Sequence, residues 1–173
     1  EVKSKIDKIK TPFEQVLTMF NDYIGKNILL ETSSEKHSFE TLLLLSQNIT
    51  RDKVYIIYEP EELITPSRHI AYESATGKGI ITQAPGGSFF DFLNKPIDNK
   101  IIIVLYDTFK TKDIVKFNTL IDYGARFADK VALEPNTTII GVYNTHSPTA
   151  YKGSDFSSRF YTKYPLENES LKL

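Results

Sequence analysis

IIIVLYD, residues 101–107, is apolar at every position before its terminal acid and rich in β-branched side chains. A strand with one solvated face alternates apolar and polar residues. One without alternation is covered on both faces, which puts this segment at the centre of a parallel sheet. Two more runs read the same way: KNILLET (26–32) and TTIIGVYNT (137–145); VYIIYE (54–59), β-branched and aromatic, is a further strand ended by Pro60. KVALEP (130–135) predicts a short strand or edge closed by Pro135.

Helical patterns lie between these runs. Phe13, Val16, Leu17 and Phe20 share one helix face, with Thr11 as cap, Pro12 at the first helical position and Gly25 as the stop. FETLLLLSQNI (39–49) and SFFDFLNK (88–95) follow, the second opened by Gly87 and Ser88. Ile114, Phe117, Leu120 and Ile121 mark the face of another helix, and SDFSSRFYTKYPL (154–166) carries a short helix and a final strand or tail. Residues 70–84 fit a hairpin or small insertion turning at TGKG (76–79). Strands separated by helices predict an α/β fold: a three-layer sandwich with a doubly wound, mostly parallel sheet. At 173 residues the chain reads as a single domain over 1–173.

Composition narrows the function classes. A net charge of -1 supplies no general field for nucleic acid or an acidic membrane, and no concentrated basic and aromatic patch is present, so nucleic acid is not expected as a partner. The absence of cysteine excludes disulfides and thiolate chemistry. No apolar run reaches the length of about 18 residues that a membrane helix needs, so no membrane is expected, and the charged start does not resemble a signal peptide. A cytoplasmic location follows as the expectation. His37, His69 and His146 form no metal-ligand cluster in sequence, and the G-x-S-x-G elbow of a serine hydrolase is missing.

The chemistry-bearing signals fall at strand ends. ETSSEKHS (31–38) has the length and the strand–helix context of a G-x-x-x-x-G-K-[ST] phosphate loop, whose backbone N–H groups surround the phosphates while its lysine neutralises them. Here Glu31 and Lys36 stand for the glycines, His37 for the lysine, and Ser38 keeps the magnesium-binding hydroxyl. Lys36 adds a side chain where the loop turns tightly, and Glu31 and Glu35 bring negative charge toward the phosphates. Two readings stand: an unusual ATP site using Lys36, His37 and Ser38, or a loop position that no longer binds phosphate well.

Asp107 is placed to hold the water shell of a magnesium ion, with Ser38 as the other metal-side group. The alternative is a plain cap after the strand. Thr108 takes the position where a glutamate would polarise the attacking water, and a hydroxyl is a poor general base. Asn144 is placed to orient that water, or else forms a turn before His-Ser-Pro. Arg159 is a candidate arginine finger toward a neighbouring subunit, or closes a local salt bridge. ATGKG (75–79) contains GK without the earlier glycine and reads as a surface turn.

These segments, taken in order, resemble the large domain of AAA-type P-loop ATPases, in the branch that includes midasin, dynein and the MoxR-like proteins. FEQVLTMFNDYI (13–24) with NILL (27–30) resembles the lead-in helix and first strand. GGSFFDFLNK (86–95) with IIIVLYD resembles the helix before the Walker B strand and that strand. LIDYG (120–124) with NTTIIGVYNTHSP (136–148) resembles the run into the sensor-1 strand, and YKGSDFSSRF (151–160) the segment leading to the ring-facing arginine. The resemblance covers nearly the whole chain in order, without the family's small helical lid. It departs at Glu31, Lys36, His37 and Thr108, all on phosphate or catalytic positions. It therefore implies a P-loop NTPase type of fold and a catalytically degenerate module. Such a module would act as an interaction or scaffold domain of a larger protein, with protein partners or flanking domains, and ring assembly as one option. The cofactor would be none, or weakly held ATP or ADP with magnesium. The alternative is an ATP- and magnesium-binding module that hydrolyses weakly or only within an assembly.

Overall fold

The computed structural model describes residues 22–48, 53–60, 69–73, 80–84, 89–128, 131–148 and 150–166. The strands are β1 (Asn27–Thr32), β2 (Val54–Ile57), β3 (His69–Glu73), β4 (Ile80–Ala84), β5 (Ile101–Leu105), β6 (Phe127–Ala128), β7 (Val131–Ala132), β8 (Thr138–Asn144) and β9 (Thr162–Pro165). The α-helices are α1 (Glu35–Asn48), α2 (Phe89–Asn94), α3 (Thr111–Phe117) and α4 (Ser154–Ser157). Five strands form one sheet in the order β2-β5-β8-β1-β9, and every pairing in it is parallel. The apolar runs around residues 28–30, 101–105 and 138–143 occupy its interior, as their lack of alternation requires.

Alternate residues of β1, β2, β5 and β8 feed separate cores. Leu29, Tyr55, Ile57, Ile102, Val104 and Ile139 pack with Phe89 and Phe92 of α2, Ile114 and Phe117 of α3 and Phe156 of α4. Ile28, Leu30, Ile56, Ile103, Leu105, Ile140 and Val142 pack with Leu42 and Leu45 of α1. The four residues expected on one helical face, Ile114, Phe117, Leu120 and Ile121, are all buried, although the α-helix gives way to a 3-10 turn at Asn118–Ile121.

Two glycines are dictated by what surrounds them. A Cβ on Gly141, in the middle of β8, would lie 2.8 Å from Tyr106 Cε2 and 3.0 Å from Leu29 Cδ1. Gly25, the expected helix stop, has φ +80°, and a Cβ there would meet the Pro135 carbonyl oxygen at 2.5 Å. The helix before it lies outside the described residues.

Several boundaries move for local reasons. The strand read as 101–107 stops at Leu105, because Tyr106 turns into the aromatic core against Phe109 and Phe156 at ring distances of 5.3 and 4.9 Å, and Tyr106–Thr108 becomes a 3-10 turn. KVALEP yields only β7, which pairs antiparallel with β6 outside the main sheet. The hairpin expected at 70–84 is present as β3 and β4, paired antiparallel from His69↔Ala84 to Glu73↔Ile80; the TGKG turn itself, and the Gly87–Ser88 helix start, lie outside the described residues. Among the described residues no helix is long and apolar enough to cross a membrane.

Candidate functional site

In a parallel sheet all C-terminal strand ends meet along one edge, and ligands of open α/β sheets bind outside that edge. The ends of β1, β5 and β8 bring Ser38, Asp107 and Asn144 to it. β1 ends at Thr32 and α1 begins at Glu35, so Ser33 and Ser34 alone connect them. Ser34 caps the helix: its Oγ accepts the His37 N–H at 3.0 Å and its carbonyl accepts the Ser38 N–H at 2.9 Å. Lys36 and His37 therefore lie inside the first turn of α1 rather than on a loop.

The serine and histidine side chains of that turn bond within the protein. Ser38 is buried, and its Oγ lies 2.5 Å from Thr32 Oγ1, which also bonds the Tyr143 carbonyl at 3.3 Å. His37 is buried with Nδ1 3.1 Å from Ser33 Oγ, while its Nε2 has no hydrogen-bond partner. Lys36 points to solvent beside Glu40, 3.8 Å away.

Asp107 follows β5. Its Oδ1 accepts the Asn144 N–H at 2.7 Å, and its Oδ2 is buried without a hydrogen-bond partner. Burial raises the pKa of this carboxyl; the Ser38 hydroxyl and the Asn144 N–H pull it the other way, and the charge of Glu35 adds a smaller upward push. Asn144 holds Asp107 through its backbone, whereas its side-chain Oδ1 accepts the His146 N–H at 3.0 Å, closing a turn into His-Ser-Pro. Thr108 Oγ1 donates to the Tyr58 carbonyl at 2.8 Å, tying the ends of β5 and β2.

The space at this edge is divided. A pocket of ≈ 10 Å³ between Tyr106, Asp107, Tyr143 and Asn144 has room for about one water. An open groove of ≈ 650 Å³ runs past Asp107, Thr108, Lys110, Tyr151 and Lys152. The residues do not fit a magnesium triphosphate held as a phosphate loop holds it. The connection is two residues long, its hydroxyls are bonded inward, and Glu35 stands at the helix start. Among the described residues no group of three or more His, Asp or Glu is arranged to hold a metal ion.

Arg159 is not part of this cluster. It sits just before β9, at the N-terminal edge of the sheet, where its Nε is 3.5 Å from Asp122 Oδ1 and its Nη1 donates to the Asp155 carbonyl. Sequence reasoning passed over Thr32, an interior position of the 31–38 match, and the Tyr143–Tyr151–Asp155 chain. In that chain Tyr143 donates to the Tyr151 carbonyl and Tyr151 to Asp155 Oδ1, each at 2.6 Å. Their hydroxyls carried no spacing signal, because the contacts join β8 to the loop after it.

No protein-family model matches the chain, and no curated protein does. Among solved structures, a protein of Cytophaga hutchinsonii provisionally named an ATPase aligns with a TM-score of 0.50 at 16% identity, over 98% of this chain and 52% of that one. The chain thus spans about half the length of that protein. At such identity the likeness is one of fold alone: an α/β architecture on a parallel sheet.

Proposed function

We propose that this chain is a three-layer, AAA-like module of P-loop NTPase type that has lost its phosphate site and serves as a cytoplasmic interaction or scaffold domain of a larger protein. The observation that carries this reading is the β1–α1 connection. Ser33 and Ser34 make a capped helix start with Thr32, His37 and Ser38 bonded inward, which leaves no loop of convergent backbone N–H groups. The parallel sheet and its two cores have a structural role that persists without nucleotide.

A second reading, a weak ATP- and magnesium-binding module, is favoured by one feature: the buried and unpartnered Oδ2 of Asp107 beside Ser38. Thermal melting with and without Mg-ATP separates the two, since a ligand that binds only the folded state raises the melting temperature. The scaffold reading expects no shift at millimolar nucleotide and no phosphate release. A shift that disappears in Ser38→Ala or Asp107→Ala would sink it.

A further inference from the structure

At the sheet edge opposite Asp107 and Ser38 lies a pocket of ≈ 500 Å³, lined in part by Lys26, Asp122, Tyr123, Arg126, Arg159 and Tyr161. Arg126 is 8% exposed. It donates through Nη1 to Asn27 Oδ1 at 2.9 Å and through Nη2 to the Pro135 carbonyl at 3.2 Å, both neutral acceptors. Among the described residues no carboxylate pairs with it, and burial pushes its pKa down. A guanidinium has five N–H donors, so these two bonds leave it able to grip an anion. Lys26 and Arg159 add positive charge to the lining against the single carboxylate of Asp122, in a chain whose net charge is -1.

The rim is apolar and aromatic. Tyr161, 65% exposed, lies under the Lys26 ammonium at 5.2 Å; Tyr123, 73% exposed, lies under the Arg159 guanidinium at 6.0 Å. Ile24 and Phe127, also exposed, directly adjoin lining residues in the chain. Of the exposed large apolar side chains among the described residues, only Val115 falls elsewhere. Tyrosine and arginine around a pocket are the composition of a protein-binding hot spot, and an apolar rim about a cationic floor calls for an anion carried on an apolar segment.

We propose that this pocket docks an acidic side chain of a partner protein, its carboxylate bound by Arg126 and its flanking apolar residues laid against Tyr123 and Tyr161. This gives the interaction reading its surface and rests on it for the kind of partner. The test is separable, because it reports on the sheet edge opposite the one a nucleotide would use.

The experiment is side-chain NMR of the arginine Nε–Hε groups in the full chain, titrated with a capped Tyr-Glu-Tyr peptide, its Tyr-Gln-Tyr twin and inorganic phosphate. The Arg126 signal should move saturably with the glutamate peptide, at an affinity on the order of tenfold above the glutamine twin. Because Arg126 is buried and its replacement endangers folding, Lys26→Gln and Tyr161→Ala, both at the rim, serve as the variants; each should weaken the glutamate peptide about threefold or more. Equal affinity for the two peptides, an Arg126 signal unmoved by the glutamate peptide, or affinity indifferent to both variants overturns the proposal. A response to phosphate without one to the peptide also overturns it, in favour of a small-anion site.

Discussion

Asp107 sits where burial and hydrogen bonding oppose each other, and burial dominates. The sign of its effect on stability follows. Its folded pKa is raised, so the protonated form suits the folded state. The stability it contributes is fully present below the pKa of a free aspartate, near 4, and is lost as pH climbs through the higher folded value. Asp107→Asn keeps an oxygen to accept the Asn144 N–H and carries no charge. Its melting temperature should exceed that of the wild type at neutral pH, with the gap closing as pH falls toward about 4. Melting curves across that range check this; a wild type more stable at neutral pH would mean that the charge is needed there. The placement of Asp107 at the end of its strand was legible, because an acid closing an unbroken apolar run has one place to go. Asn144 was legible only as two alternatives. Its backbone N–H, a group that no residue type advertises, holds Asp107, and its side chain closes the turn.

In the β1–α1 unit two residues connect strand to helix. Glu31, Lys36 and His37 at the positions of a phosphate loop left two readings open, an unusual ATP site or a loop that no longer binds phosphate well. What they could not show is that the helix starts early, at Glu35, because Ser34 caps it. A serine in a polar run gives the same signal in a loop as at a cap. Ser34→Ala should lower stability by about 1 kcal/mol, read as a drop of a few degrees in thermal melting; an unchanged melt would remove Ser34 as the cap. β8 supplies a second test. Gly141→Ala puts a methyl between Tyr106, Leu29 and Phe160 and should cost about 1–3 kcal/mol by overpacking, measurable by denaturant titration. The short β6–β7 pair and the 3-10 turn at Tyr106 were not legible, since both depend on contacts made only after the sheet has formed.

For the molecule as a whole, the apolar strands and the helix faces between them carried enough signal for a parallel α/β fold, because periodicity reports burial directly. The strand order β2-β5-β8-β1-β9 carried none, since pairing partners lie as far apart in the chain as Ile28 and Thr162. That order gives the molecule two unlike ends. One gathers Thr32, Ser38, Asp107 and Asn144 into an inward-bonded cluster, and the other opens a cationic pocket around Arg126. Arg126 escaped notice because a lone arginine between a turn and a short strand has no pattern, and only the fold buries it. On the proposed reading, the end that carries Ser38 and Asp107 holds no phosphate. Calorimetric titration of the full chain with ATP and ADP, with and without magnesium, tests it most directly. No binding heat is expected up to millimolar nucleotide; micromolar, magnesium-dependent binding that is lost in Ser38→Ala would overturn the proposed reading.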